Sequence, residues 1–313
     1  MDVDLVLEGG GVKGIGLVGA YAVLRERGFS VRRVAGTSAG AVVGALVAAD
    51  LPLRKLVRTM RDVDYRKFRD RGLLDRLGPI GEVASVLFEK GVYEGEYLRT
   101  WLDGILAGRG KRTFGDLRID DPSLPPNRRY RLVVLAADVS RGRLVRLPWD
   151  YPEYGLVADD QLVADAVRAS MSIPFFFEPA QLRATGRPTA TSYVVDGGLM
   201  SLYPIDVFTS TDPTPLRPTI GVKLSGRPDP KQVHMFPIHN TIEFAVAMVE
   251  SMVTWYDNLH IDDDHAIANT VFVDTTGVRA TEFDLSETKR DLLYRNGRKA
   301  ARKFLASWQP PAA

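Results

Sequence analysis

The sequence predicts an α/β fold in which helices pack against a parallel sheet. Two observations lead to this prediction. Short apolar strand segments alternate with apolar helical segments from the first residues onward, in the order strand, helix, strand, helix, as in a parallel sheet joined by helical connections. The chain also shows no internal repeat, and its proline-rich stretch at 211–218 joins predicted strands of one sheet. A single domain spanning 1–313 is therefore expected.

The first 68 residues predict two strands and three helices. Both strand segments are short, apolar and rich in valine and leucine, and the last helix is amphipathic and basic. The predicted strands are 4–9 (DLVLEG) and 31–36 (VRRVAG), and the predicted helices are 16–28, closed by Gly28, then 39–50 and 51–68.

The remaining elements continue the mixed pattern. A turn at Arg141 and Gly142 predicts a hairpin, a helix must end before Pro174, and Glu287 lies three positions after Asp284, as in a capping box. In order, we predict a mostly helical stretch 80–109, the hairpin 130–147, a helix 159–170, strands 191–196 and 219–224, a long helix 241–260, a strand 270–275 and a last helix from Asp284.

Composition excludes several classes of protein. The 45% apolar and 26% charged residues are typical of a globular protein, and the net charge of +2 gives no support to nucleic-acid binding. The absence of cysteine excludes disulfides, thiolate metal sites and a cysteine nucleophile. The longest apolar run, 40–50, is too short to span a bilayer, and the acidic start MDVDLVL does not resemble a secretory signal. A cytoplasmic protein that can contact membranes peripherally through 51–77 is expected.

A glycine-rich loop follows the first predicted strand, in LVLEGGGVKGIG at 5–16. Bare backbone of this kind serves either to bind a phosphate or to stabilise an oxyanion with N–H groups. Gly9, Gly11 and Gly14 fit the dinucleotide fingerprint G-x-G-x-x-G. However, the second strand ends in glycine rather than in the carboxylate that holds a ribose, and no Lys-Ser/Thr pair follows the loop. A nucleotide-binding module is therefore kept only as an alternative.

The second strand leads into GTSAG, which matches the nucleophile-elbow pattern G-x-S-x-G between a strand and a helix. Such a turn exposes the hydroxyl of Ser38, while Gly36 and Gly40 leave room for the crowded backbone. The N–H of Ala39 lies at a helix N-terminus, which favours an anion. The pattern predicts a nucleophilic serine.

If Ser38 attacks a carbonyl, the glycine-rich loop has a chemical purpose. Parallel pairing of the first two strands brings their ends together, so the loop N–H groups can converge on an oxyanion near Ser38. Gly10 and Gly11 are the first candidate donors and Val12 is the next. Lys13 either adds positive charge there or is a solvated lysine at a helix start.

The serine also needs a base. Asp196 stands at the end of a predicted strand and precedes Gly197 and Gly198, which clear the backbone around it. In open parallel sheets such strand ends face the site, and we expect this strand to be parallel. The same Asp-Gly pair is common in simple turns, so a turn aspartate is equally compatible with the pattern. The four histidines all follow the glycine-rich motifs in the chain, so a Ser-Asp-His triad stays conceivable. They are His234, His239, His260 and His265.

The three motifs GGGVKG, GTSAG and DGG, in this order, resemble the patatin-like phospholipase family. The resemblance covers about 3–205 and includes the block ASMSIPFFFEP, while 206–313 adds strands and C-terminal helices without a matching motif. It implies an α/β/α sandwich with a mostly parallel central sheet, and hydrolysis of acyl esters of lipids without metal or organic cofactor. It further implies a Ser38–Asp196 dyad without histidine and an oxyanion hole at Gly9–Gly14. Lys13 departs from the arginine that is usual there.

Two features bear on a lipid substrate. Residues 51–77 carry nine Lys and Arg against four Asp, and their apolar and basic faces separate, which suits either a helix lying on anionic lipid or a core-packed helix with a solvated face. The run FFF at 175–177 either lines an acyl pocket or fills the core. Besides hydrolysis, an acyl-serine could also pass its acyl group to an alcohol, so acyl transfer is kept as the main alternative.

Overall fold

A computed structural model describes residues 1–68, 91–183, 191–209, 217–224, 264–280 and 282–310, with five isolated positions between 238 and 251. The strands within these ranges are β1 (Asp2–Leu7), β2 (Ser30–Thr37), β3 (Gly91–Tyr93), β4 (Leu132–Asp138), β5 (Arg143–Leu147), β6 (Phe175–Phe177), β7 (Ala180–Arg183), β8 (Thr191–Asp196), β9 (Thr219–Lys223) and β10 (Thr270–Phe272). The helices are α1 (Ile15–Glu26), α2 (Ala39–Ala48), α3 (Leu53–Asp62), α4 (Glu96–Ala107), α5 (Val163–Ser170), α6 (Asp264–Ala268) and α7 (Glu287–Ser307).

The main sheet has the order β10-β9-β1-β2-β4-β8-β7, and β5 also pairs with β4. The pairings from β10 to β4 along this order are parallel, whereas β4 pairs antiparallel with both β5 and β8, and β8 pairs antiparallel with β7. The predicted α/β fold, with a largely parallel centre and flanking helices, is confirmed. The antiparallel strand β5 follows β4 through a short turn, in which Gly142 has φ +63°.

Helices α1 and α7 pack with their backbones in contact. A Cβ on Gly19 would overlap the carbonyl oxygen of Tyr294, and a Cβ on Gly297 would overlap the carbonyl oxygen of Gly16. Residues 15–24 of α1 are all buried, between this helix and the sheet. The C-terminal helix is therefore part of the same core as the first βαβ unit.

The apolar face of α3 is turned towards the protein. Leu56 and Met60 are buried, and Leu53 and Val57 pack against the core. The exposed face carries the cations Arg54, Lys55, Arg58 and Arg61. Of the two interpretations of this segment, the structure shows a core-packed helix with a solvated basic face for 53–62, whereas 69–77 lie outside the described residues.

Three further predictions differ from the structure or lie outside it. The last helix begins at Glu287 rather than at Asp284, because the Ser286 hydroxyl accepts the N–H of Lys289 at 3.3 Å and caps the first turn. In the stretch predicted as mostly helical, 80–90 lie outside the described residues and the rest forms β3 and α4. Most of the predicted helix 241–260 also lies outside them. No helix within the described ranges combines the length and apolar composition needed to cross a membrane.

Candidate active site

Two strands end facing each other along one edge of β4, and this brings Ser38 and Asp196 together. Thr37, the last residue of β2, pairs with Leu135, and Asp196, the last residue of β8, pairs with the next residue of β4, Ala136. The other edge of β4 is occupied by β5 over the same stretch, so β2 and β8 must share one edge and approach from opposite directions. The sequence argument placed Asp196 at the end of a parallel strand. That premise was wrong, because β8 is antiparallel.

Ser38 lies in a sharp turn between β2 and α2. Its backbone has φ +51° and ψ −122°, a conformation that costs free energy for a residue with a side chain. A Cβ on Gly36 would overlap the carbonyl group of Gly40, and a Cβ on Gly40 would overlap the carbonyl oxygen of Leu7. The turn therefore requires glycine at both flanking positions, for the steric reason that the sequence suggested.

Ser170, at the end of α5, holds this turn and was not singled out from the sequence. Its hydroxyl accepts the Ser38 N–H at 2.8 Å and donates to the carbonyl oxygen of Leu135 at 2.6 Å. Ser170 is completely buried. Its hydroxyl therefore supplies hydrogen bonds to two backbone groups that water cannot reach. It ties the strained turn to β4. The only sequence signal for Ser170 was its place as the second residue of the ASMSIPFFFEP block.

Asp196 is a buried carboxyl whose pKa is raised to about 6. Burial is the largest cause, and hydrogen bonds from the Ser38 side chain and the Gly198 N–H lower the pKa in part. The Gly198 N–H donates to Asp196 Oδ1 at 2.8 Å. A Cβ on Gly197 would overlap the carbonyl oxygen of Leu135, so the DGG turn can lie this close to β4 only with glycine. At neutral pH the carboxyl is mostly ionised and can accept a proton.

Met171 covers the nucleophile. The Ser38 hydroxyl donates towards the Met171 sulfur at 3.3 Å, and it lies close enough to Asp196 to lower the pKa of that carboxyl in part. Thioether sulfur is a weak acceptor, so the contact costs little to break when a substrate arrives. Met171 directly follows Ser170, so two neighbouring side chains contact the backbone and the hydroxyl of Ser38.

The glycine-rich loop lies beside Ser38. Leu7 pairs with Gly36 at the ends of β1 and β2, so the chain beyond Leu7 runs alongside the GTSAG turn. A Cβ on Gly9 would lie 3.2 Å from the Cβ of Ser38 and 2.7 Å from Leu202 Cδ2. The proximity that the parallel pairing predicted is therefore present in the structure.

Two N–H groups of the glycine-rich loop have no acceptor among the described residues. The Gly9 N–H donates to the Leu202 carbonyl oxygen at 3.0 Å, and the Lys13 N–H donates to the Gly10 carbonyl oxygen at 3.2 Å. Within the described part of the chain, the N–H groups of Gly10 and Gly11 have no acceptor. The N–H of Ala39, the first residue of α2, likewise has no partner within its own helix. Lys13 is half-buried in the helical turn Gly11–Gly14.

The C-terminal third of the chain holds the other side of this loop. The Val12 N–H donates to the Ala280 carbonyl oxygen at 3.0 Å, so this candidate donor already has an acceptor. Gly11 has φ +55°, and a Cβ there would overlap the same carbonyl oxygen. Glu8, which is buried, accepts hydrogen bonds from the Lys223 ammonium and from the backbone N–H of Leu224. These contacts give a role to the region that carried no motif.

A small apolar cavity of about 10 Å³, partly open to solvent, lies beside Ser38. Gly11, Ala39 and Met171 line the end next to the serine. The rest of its wall consists of Val42, Met60, Val63, Tyr65, Phe68 and Trp101. Phe175, in the FFF run, is exposed and Phe177 is buried in the core, and neither lines this pocket.

The histidines of the alternative triad lie outside what the structure describes. His234, His239 and His260 fall in segments that are not described, and His265 belongs to α6 but its side chain is not described. Every group named around Ser38 above therefore comes from the remaining parts of the chain. The expectation of a dyad without histidine stays a prediction.

Comparison with known proteins gives consistent matches. A family model described as patatin-like phospholipase matches residues 5–209. The chain is 36% identical over 308 residues to YqhO, an uncharacterized protein of Bacillus subtilis, covering 98% of this chain and 99% of that protein. It is 36% identical over 120 residues to lysophospholipase nte1 of Emericella nidulans, covering 38% of this chain and 7% of that protein. The structure of VipD from Legionella pneumophila has a TM-score of 0.54 at 17% identity, over 97% of this chain and 67% of that chain, which shows a shared fold.

Proposed function

Because this chain belongs to the patatin-like phospholipase family, we propose that it is a serine acyl hydrolase that cleaves acyl esters of lipids, of the phospholipase A, lysophospholipase or lipid esterase type. The observation that carries the proposal is the meeting of Ser38 and Asp196 at the ends of β2 and β8. They meet beside loop N–H groups that have no acceptor among the described residues. A nucleophile, a base and anion-binding groups then share one place, as acyl transfer requires.

In the first step Asp196 acts as the base. Its carboxylate takes the proton of the Ser38 hydroxyl while the serine oxygen forms a bond to the ester carbonyl carbon. The carbonyl π electrons move to the carbonyl oxygen, which becomes the oxyanion of a tetrahedral intermediate. A carboxyl with a pKa of about 6 is well suited to this task, because it is mostly ionised at neutral pH and is a stronger base than an ordinary aspartate.

Backbone N–H groups stabilise the oxyanion. Gly10 and Gly11 are the best donors, since their N–H groups have no acceptor in the described part of the chain, and Ala39 adds the N-terminal end of α2. Donors that are fixed before the charge develops need no reorganisation during the reaction, and each is typically worth ~3 kcal/mol. Gly9, Lys13 and Gly14 belong to the same loop.

Protonated Asp196 then gives its proton to the leaving alcohol, and the bond between that oxygen and the carbonyl carbon breaks. This leaves an acyl group on Ser38. A water molecule, deprotonated by Asp196, attacks the acyl carbon. The bond between that carbon and the Ser38 oxygen then breaks, Asp196 returns its proton to the serine oxygen, and the fatty acid is released. If an alcohol replaces water in this second step, the same intermediate makes a new ester, which is the acyltransferase alternative.

Lipid is the proposed substrate class for two reasons. The side chains beside Ser38 are apolar, among them Ala39, Val42 and Met171, and one partial match is to a lysophospholipase. The basic outer face of α3 would favour contact with an anionic phospholipid surface through charge, because its apolar residues already pack inside the protein. We therefore propose electrostatic adsorption, rather than insertion, for this segment.

The test is reaction with a fluorophosphonate probe, followed by identification of the labelled peptide and hydrolysis of a nitrophenyl ester. We expect labelling at Ser38, and loss of both labelling and hydrolysis in Ser38→Ala with an unchanged thermal transition. Ser192→Ala is the matched control, because Ser192 is also buried and lies in β8 but outside the site. Hydrolysis by Ser38→Ala at the wild-type rate would overturn the proposal. Binding of ATP or NAD in calorimetry, without probe labelling, would favour the nucleotide-binding alternative.

A further inference from the structure

Glu8 places a buried carboxylate at the base of the glycine-rich loop. It directly precedes Gly9, and its carboxylate accepts a hydrogen bond from the ammonium group of Lys223, which is equally buried at the end of β9. Taking two charges out of water is costly, and a buried ion pair often stabilises a fold no more than apolar side chains of similar size would. Stability alone therefore gives little reason for an ion pair at this place.

The pair joins the ends of β1 and β9. Leu7 pairs with Val222, and the Glu8 N–H donates to the Val222 carbonyl oxygen at 3.0 Å. The second oxygen of the Glu8 carboxylate accepts the backbone N–H of Leu224. The carboxylate thus holds the side chain of Lys223 and the backbone of the residue after it, and this fixes the direction in which the chain leaves β1 and enters the loop.

Leu224 passes this constraint to Gly10. A Cβ on Gly10 would lie 2.7 Å from Leu224 Cδ1, so the Leu224 side chain lies directly against the Gly10 backbone. The Leu224 carbonyl oxygen accepts the Thr275 hydroxyl at 2.6 Å. Because Glu8 holds its N–H and Thr275 holds its carbonyl group, Leu224 is a fixed support for a residue whose N–H is a proposed oxyanion donor.

Tyr203 links the same pair to Gly9. The Lys223 ammonium lies 5.3 Å from the centroid of the Tyr203 ring, and the preceding residue, Leu202, accepts the Gly9 N–H at 3.0 Å. The ion pair therefore contacts residues next to both ends of the peptide between Gly9 and Gly10. The N–H of that peptide is the Gly10 donor.

We propose that Glu8 and Lys223 are positioning residues for catalysis, whose ion pair directs the Gly10 N–H towards the oxyanion. This role rests on the proposed function, in which that N–H stabilises the tetrahedral intermediate on Ser38. A donor acts fully only if its direction is fixed before the charge develops, and a misplacement of about 1 Å can cost on the order of 100-fold in rate. The ground-state ester gains little from this donor, so breaking the pair should lower kcat and leave KM nearly unchanged.

The experiment compares Glu8→Gln with Asp4→Asn in the hydrolysis of a soluble nitrophenyl ester. Asp4 is the matched control: it also lies in β1 and forms a buried ion pair with a neighbouring strand, to Arg33 at 2.6 Å, but it precedes Glu8 by four residues. Each variant leaves a buried cation without its carboxylate, so both should unfold at a lower temperature. Only Glu8→Gln should lower kcat, by about 10- to 100-fold with KM within about twofold.

Inhibition by an alkyl trifluoromethyl ketone separates positioning from a loss of folded protein. The Ser38 oxygen adds to the ketone carbon, Asp196 takes the hydroxyl proton, and the ketone oxygen becomes an oxyanion, as in the proposed intermediate. The inhibition constant should rise in Glu8→Gln by the factor by which kcat/KM falls, and should stay at the wild-type value in Asp4→Asn. A smaller folded fraction would lower the apparent kcat but would not change this constant.

Lys223→Met breaks the pair from the other side and should give the same loss of kcat. The double variant Glu8→Gln/Lys223→Met removes both charges, so it should fold at least as well as either single variant while keeping their low kcat, because the pair acts as a unit. Wild-type values of kcat and of the inhibition constant in the double variant would overturn the inference, as would losses in Glu8→Gln no larger than those in Asp4→Asn. If the wild type hydrolyses no ester and is not bound by the ketone, the proposed function itself fails, so the two failures are distinguishable.

Discussion

Replacement of Asp196 by asparagine should abolish ester hydrolysis and, at neutral pH, stabilise the fold. Burial raises the pKa of Asp196 to about 6 from an ordinary value of 3.8. Ionisation of this carboxyl therefore lowers the free energy of unfolding by about 3 kcal/mol, for a shift of roughly two pKa units. Asparagine has nearly the same shape and can still accept the Gly198 N–H, but it carries no charge to desolvate.

The sign of the pH dependence follows from the raised pKa. Between about pH 4 and pH 6 the folded state binds a proton that the unfolded state has lost, so the wild type loses stability as pH rises through this window. For pKa values of about 6 in the folded state and 3.8 in the unfolded state, the loss between pH 5 and pH 7 is about 1.3 kcal/mol. Asp196→Asn lacks this loss, so its advantage over the wild type should grow by that amount from pH 5 to pH 7.

Urea unfolding of both proteins at pH 5, 6 and 7 measures this difference, and titration of all other groups cancels in it. Asp116→Asn is the matched control. Hydrogen bonding, chiefly from the Thr113 N–H, lowers the pKa of Asp116, so that carboxyl is ionised in both states above pH 5 and its replacement should have the same effect at each pH. A difference between Asp196→Asn and the wild type that does not change with pH, or that shrinks towards pH 7, would refute a buried carboxyl with a raised pKa.

Ser170→Ala should lower both stability and kcat, because it leaves the Ser38 N–H and a β4 carbonyl oxygen unpaired at a cost of about 2–4 kcal/mol. Ser170→Thr should restore part of kcat. An unaltered kcat in Ser170→Ala would contradict a positioning role. Gly10→Ala should lower kcat on the order of 100-fold with little change in KM. The fold should tolerate the change, since the added Cβ would meet only the movable Leu224 side chain at 2.7 Å. Kinetics with a control melting curve test this, and an unchanged kcat would remove Gly10 from the oxyanion hole. Arg54→Glu with Arg58→Glu should reduce sedimentation with anionic phospholipid vesicles at low salt while hydrolysis of a soluble ester continues, and undiminished sedimentation would exclude adsorption through α3.

Much of the fold could be predicted because its signals are local. The first two strands and helices follow from apolar segments separated by glycine turns, and the structure places them at Asp2–Leu7, Ile15–Glu26, Ser30–Thr37 and Ala39–Ala48. The close approach of the glycine-rich loop to Ser38 also followed, since neighbouring parallel strands end at the same edge. The short strands β6 and β7 were missed, because three or four residues carry too little periodicity to stand out.

The direction of β8 could not be read from the sequence. TSYVVDGG marks a strand that ends at Asp196, but nothing in those residues tells whether the strand runs parallel or antiparallel to β4. The pairing of Ala136 with Asp196 decides this, and only that register brings the carboxyl up to the end of β2. A shift by one residue would turn the side chain of Asp196 to the other face of the sheet.

The sequence by itself determined which chemical groups were available near Ser38: a serine in a glycine-flanked turn, a loop of bare N–H groups and an aspartate before two glycines. Each of these groups depends on residues that are neighbours in the sequence, so a short motif is enough to identify it. Only the tertiary structure decided what surrounds those groups. The Ser170 hydroxyl accepts a hydrogen bond from the Ser38 N–H although the two residues are 132 positions apart. Ala280 and Lys223, in the C-terminal third of the chain, hold the glycine-rich loop. Such contacts depend on strand order, register and helix packing, which are set by burial of the whole core and leave no local trace in the sequence.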